Sequence, residues 1–101
     1  MITFLCLRCH WIEVQEQEFP VQFSISVSKK NFRNATQRNA IKRRVREKYR
    51  INKKILYDAV IPKSKNIAFM FVYLGKEIVP NPIIEESIQY ILQKIVKKLH
   101  V

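Results

Sequence analysis

The sequence predicts an α+β protein: a small sheet in the order β-β-α-β-α, with the helices packed against the strands. Three observations lead there. Val21–Ser28 alternates strictly, Phe23, Ile25 and Val27 on one face and Ser24, Ser26 and Ser28 on the other, which is the period of a half-buried strand. At about 100° per residue, Ile41, Val45, Tyr49, Asn52 and Leu56 fall on one narrow stripe, the pattern of a helix buried along one side. Ile67–Leu74 is apolar on both faces and carries Phe69, Phe71 and Tyr73, which predicts a central strand covered on both sides.

Each element has its own signal. Phe4–Ile12 reads as the first strand, and the polar turn Glu13–Pro20 joins it to the second. Asn34, followed three residues later by Gln37, reads as an N-cap with its reciprocal partner, so the basic helix starts there. A loop around Pro62–Asn66 leads into the central strand, and Gly75, the only glycine, ends it. Asn81-Pro82 opens the last helix with Pro at its first position, Glu85 and Glu86 in its first turn and Lys97 and Lys98 in its last. Ile84, Ile88, Ile91, Ile95 and Leu99 supply its buried stripe. There are no repeats, low-complexity tracts or linkers, so residues 1–101 read as one domain. A chain of this length removes about two-thirds of its unfolded surface from water, enough for one modest core. A hydrophobic content of 48% argues against disorder.

Charge carries the functional signal. The net charge is +11, and the stretch from Ser28 to Arg50 holds most of the cations with a single acid, Glu47. Cations packed this closely repel one another unless solvated or met by an anion. Asn39, Lys42, Arg43, Arg46, Arg50 and Lys53 fall together on the helix side opposite the apolar stripe. A passive solvated face would interleave Glu with Lys at i, i+4, and that interleaving is almost absent. Lys29, Lys30, Arg33 and Arg38 crowd the helix head, where the macrodipole is already positive. An anion docked there would relieve the conflict, which points to nucleic-acid backbone.

Here the residues resemble a known family. Ser28-Lys29-Lys30, a short spacer, then Ala35, Arg38, Asn39, Lys42, Arg43, Arg46 and Glu47 at their spacing resemble the arginine–asparagine signature of the protein subunit of bacterial ribonuclease P. The resemblance extends over nearly the whole chain. It implies a left-handed crossover through the basic helix between two parallel neighbouring strands, against the usual hand. It implies that a catalytic RNA removes the 5′ leader of precursor tRNA by magnesium-dependent hydrolysis in the cytoplasm. This subunit, binding no cofactor by itself, would grip catalytic RNA and leader. Asn39 is implied to hydrogen-bond RNA or a neighbouring arginine, and Ser24, Ser26 and Ser28 to floor a leader cleft. Family members begin with a helix that walls this cleft; here the chain starts almost at the first strand, so that wall is expected to be missing. The spacer Asn31-Phe32-Arg33-Asn34 replaces a shorter glycine turn, with asparagine at either end able to take the left-handed conformation.

Other readings are weaker on their own chemistry. Cys6-Leu7-Arg8-Cys9-His10 has the c-type haem attachment pattern, but Met1–Ile12 lacks a secretory signal's charged start, and in one strand the two cysteines would face opposite ways. Zinc would need a second ligand pair, and only His10 and distant His100 are at hand, so free cysteines in a reducing compartment are expected. Phe69, Phe71, Tyr73 and Tyr49 are expected in the core, while Trp11 is left open between core and base stacking. No carboxylate pair suits acid–base or metal work. A ribosomal or other structural RNA-binding protein would share the charge and the fold class. A DNA-binding helix would need a partner helix in front, and a membrane-surface helix a bulkier apolar face.

Overall fold

The computed structural model describes residues 1–15, 20–63 and 65–99. The strands are β1 (Ile2–Phe4), β2 (Leu7–Val14), β3 (Val21–Val27) and β4 (Asn66–Tyr73), and the helices α1 (Ala35–Asn52), α2 (Lys54–Val60) and α3 (Asn81–Leu99). They form one mixed sheet in the order β1-β2-β4-β3, with β4 antiparallel to β2 and parallel to β3. The parallel neighbours β3 and β4 are joined through α1 and α2.

Two expected elements are each divided. Phe4–Ile12 is not one strand but a hairpin: Leu5 takes a left-handed φ of 51°, and Cys6 turns into the core while its carbonyl accepts from the Leu74 amide at 2.8 Å. No Gly or Asn marks that turn, so the usual signal for it is absent. Cys6 therefore lies outside any strand, and the opposite-face argument fails; Cys6 and Cys9 are both buried, with His10 exposed on the other face. The basic helix breaks at Lys53, whose carbonyl accepts from the amides of both Leu56 and Tyr57. The break lets Leu56 and Val60 sink into the core before Pro62, which has no amide to extend the helix.

Three smaller expectations also change. Asn81 is itself the first residue of α3, with Pro80 O accepting from Ile83 and Ile84, so Pro82 is second and Glu85 and Glu86 fall beyond the first turn. Leu5 is the only non-glycine with positive φ among the described residues, so the 31–34 spacer bends without a left-handed asparagine. Although β4 is central, only one of its faces is covered: Ile67, Phe69, Phe71 and Tyr73 are buried, while Ala68, Met70 and Val72 are half-exposed. Residues 16–19 of the Glu13–Pro20 turn lie outside the described part.

The core lies between one sheet face and the three helices. Ile41 and Val45 of α1, Leu56 and Val60 of α2, and Ile84, Ile88, Ile91, Ile95 and Leu99 of α3 meet Leu7, Cys9, Ile25 and the odd-numbered residues of β4. Full burial of each such aliphatic side chain is worth about 1.5–3 kcal/mol. Tyr73 closes one end, its hydroxyl donating to Glu77 O at 2.7 Å and accepting from the Val79 amide at 3.1 Å. A Cβ on Gly75 would lie 2.9 Å from Cε1 of that ring and 3.1 Å from Glu77 O, and the pinned ring cannot move aside. Gly75→Ala is expected to cost about 1–3 kcal/mol by overpacking; an unchanged urea midpoint would show that the ring yields.

Burial pushes the Cys9 thiol up to about 12. It also raises Cys6, whose sulfur lies 3.5 Å from the Ser87 hydroxyl. That hydroxyl gives its hydrogen to Ile83 O, so the Cys6 thiol is the donor to it. Folding holds both thiols neutral; the stability this contributes is complete below the free thiol pKa of about 8.5 and is lost as pH rises toward 12. The native protein should resist iodoacetamide at pH 8 and take up two equivalents in urea, as mass spectrometry would show.

Candidate nucleic-acid interface

The direction in which the cations point is set by what holds the back of α1. Tyr49 is buried and stacks on Phe23 of β3, ring centroids 4.4 Å apart. Asn52 is buried between helices: its amide donates to Lys48 O at 2.8 Å and to Glu85 Oε2 at 3.0 Å, and its oxygen accepts from Gln89 of α3 at 3.0 Å. These contacts fix the helix's rotation about its own axis. Asn39, Arg43, Arg46, Arg50 and Lys53 are consequently exposed, and Lys42 is half-exposed beside them.

The front is not uniform. Arg50 pairs with Glu47, which holds that carboxyl below its ordinary range and raises the arginine. Lys53 lies over the Tyr57 ring at 5.5 Å. Lys42, Arg43 and Arg46 have no ion pair among the described residues. They are the cations of the front most available to an outside anion.

At the head of α1, residues 28–34 form a built loop. The Ser28 carbonyl accepts from the Phe32 amide and its hydroxyl from the Lys30 amide, while Phe32 is buried against Tyr73. Asn34 caps the helix by accepting from the Thr36 amide at 2.8 Å, and Gln37 makes no return bond among the described residues. The guanidinium of Arg38 reaches back to Phe32 O at 2.7 Å and Arg33 O at 3.0 Å. Lys29, Lys30 and Arg33 are left exposed.

Ser24 and Ser26 are exposed on the sheet face away from the helices, and Ser28 is half-exposed at its end. With His10, Ile12, Gln22 and Met70, Ser24 lines an open hollow of about 510 Å³. Across the sheet Ser24 aligns with Met70 and His10, and Ser26 with Val72 and Arg8. Phe71 and Tyr73 are buried on the opposite face, while Trp11, Phe23 and Phe69 border the hollow beside the exposed His10 ring. Trp11 pairs with Phe69 and is half-buried, packing against the core while bordering the hollow. A strand laid here would meet hydroxyls, an imidazole, a guanidinium and thioether or aliphatic surface.

Sequence reasoning missed two groups. Arg44 and Lys48, with Arg43, Glu47 and Asn81, line a second hollow between α1 and the start of α3. They flank the buried stripe, neither back nor front, so helical periodicity alone gives them no role. Arg8 stands alone among the strand residues, away from the cation cluster that carries the charge signal; its Nε is buried without a hydrogen-bond partner among the described residues. His100 lies outside the described residues. No three His, Cys, Asp or Glu side chains among the described residues come together to hold a metal.

The family model described as Ribonuclease P matches residues 5–96. The chain belongs to the ribonuclease P family. Proteins described as ribonuclease P protein component in two strains of Porphyromonas gingivalis are each 37% identical to it over 71 residues, 70% of this chain and 52% of theirs. The chain thus spans about half the length of the curated relatives it matches. No solved structure matches it. The matched residues include the whole basic front and the 28–34 loop.

Lys42→Ala and Arg46→Ala should each reduce the dependence of log affinity for RNA on log salt by about one unit, with little change in melting temperature. Asn39→Ala should lose affinity while its melting temperature holds or rises, since alanine favours the helix. Unchanged slopes in both charge variants would show that the front meets no phosphate.

Proposed function

We propose that this chain is the RNA-binding protein subunit of ribonuclease P, assisting a catalytic RNA in removing the 5′ leader of precursor tRNA. The observation that carries this reading is the exposed basic front with the family's residues on it, backed by a helix whose roll the core dictates. Lys42, Arg43 and Arg46, with Arg50 and Lys53 beside them and Lys29, Lys30 and Arg33 at the helix head, neutralise backbone phosphates and release their counterions. The polar sheet face with Ser24, Ser26 and Ser28 takes the single-stranded leader by hydrogen bonds and charge. Phe69, Phe71 and Tyr73 are buried toward the helices, and the ring exposed on this face is the His10 imidazole.

In this reading the protein contributes no reacting group. Magnesium ions held with the RNA supply the hydrolytic chemistry, and the described side chains offer no carboxylate cluster to bind them in the RNA's place. What this chain does is bring two polyanions together and hold them in register, which matters most where magnesium is too scarce to screen their repulsion. The free, buried cysteines suit a reducing compartment, in keeping with a place in the cytoplasm. No helix among the described residues is long and apolar enough to cross a membrane.

Reconstitution tests the proposal. Mixed with a bacterial catalytic RNA at low magnesium, the chain should restore 5′ cleavage of a precursor tRNA, and the Lys42→Ala/Arg46→Ala double variant should require more magnesium or more protein. Tight RNA binding with no effect on cleavage would instead identify a structural RNA-binding protein of the ribosomal kind.

A further inference from the structure

We infer that Arg38 is a positioning residue, which acts by holding the 28–34 loop so that Lys29, Lys30 and Arg33 stand ready for RNA, and that it makes no phosphate contact of its own. The inference rests on the RNA-binding reading above and deepens it. Its ground is where the Arg38 charge goes. Nη1 donates to two successive carbonyls, Phe32 O at 2.7 Å and Arg33 O at 3.0 Å, and Arg38 is half-buried while Lys29, Lys30 and Arg33 are exposed.

Those carbonyls have no other hydrogen-bond donor among the described residues, so Arg38 is what satisfies them. The loop is also pinned at its other end, where Ser28 accepts from the Phe32 and Lys30 amides, and in its middle, where Phe32 is buried beside Tyr73. Arg38 closes the remaining side. Three cations on a short loop repel one another, and a free loop would splay them. Clipped to the helix, they meet an anion without first being ordered, so binding avoids that entropic cost. A guanidinium suits the task, since its planar donors are charged at any working pH and pre-oriented toward two acceptors.

The test has one arm without RNA and two with it. In Arg38→Gln the Phe32 amide should exchange with deuterium faster than in the wild type, while amides of α3 keep their protection. With catalytic RNA, Arg38→Gln should bind about tenfold more weakly at every salt concentration, with its salt slope unchanged, whereas Lys42→Ala loses about one unit of slope. Arg38→Lys, which keeps the charge but not the planar donors, should show the same parallel loss and serves if the glutamine variant folds poorly. In a Lys29→Ala/Lys30→Ala/Arg33→Ala background, adding Arg38→Gln should cost little more, because nothing is left to position.

A slope reduced by about one unit in Arg38→Gln, wild-type affinity in Arg38→Lys, or an undiminished loss in the triple background would each make Arg38 a phosphate contact and overturn the inference. Unaltered exchange at Phe32 would overturn it independently of any RNA. If the wild-type chain binds no RNA, the functional reading fails instead, and the exchange arm still decides whether Arg38 holds the loop.

Discussion

The rotational setting of α1 is the constraint on which the rest depends. A helix carrying this many cations has one arrangement in which none is buried unpaired: the Ile41–Val45–Tyr49–Asn52 stripe inward and the Lys42–Arg46–Arg50 side outward. Rotation by a quarter turn would drive Lys42 or Arg44 toward the sheet, and an unpaired buried charge costs far more than the stripe could return. Hydrophobic burial chooses the back, and charge solvation prevents any compromise. The outward basic face is thus a consequence of the core.

Two polar devices sharpen that setting. Asn52 joins α1 to Glu85 and Gln89 of α3 and satisfies both of its own donors, so it adds direction to a contact that aliphatic packing leaves loosely specified. Tyr73 does the same for the chain between β4 and α3, holding Glu77 and Val79 by its hydroxyl. Gly75 follows from this: its missing side chain is required by the approach of the tyrosine ring, and no unusual backbone angle is involved.

The two candidate RNA surfaces differ in kind. The α1 front and the 28–34 loop offer dense charge on a rigid support, suited to the phosphate backbone of a folded RNA. The open sheet face is sparse in charge and, among the described residues, exposes the His10 imidazole, while Phe23, Phe69, Phe71 and Tyr73 pack in or against the core. Its chemistry favours an extended chain followed by hydrogen bonds. Arg8, at the end of that face nearest Ser26 and Ser28, adds the one guanidinium there among the described residues.

The sequence by itself determined the α+β class, β3, the basic helix with its back and front, the buried stripe of α3 and the family signature. Each of these depends on periodicity or local spacing, and a periodic element repeats its signal every few residues. The hairpin at Leu5–Cys6 and the break at Lys53 carry no local mark, because the Cys6 carbonyl meeting the Leu74 amide and the descent of Leu56 and Val60 into the core produce them. Tertiary structure alone also divided the cations by task. Residues of one charge look alike in a sequence; what separates Arg38 on two loop carbonyls, Arg50 on Glu47, Lys53 on a tyrosine ring and Lys42, Arg43 and Arg46 without an ion pair among the described residues is which atoms the fold brings close to each.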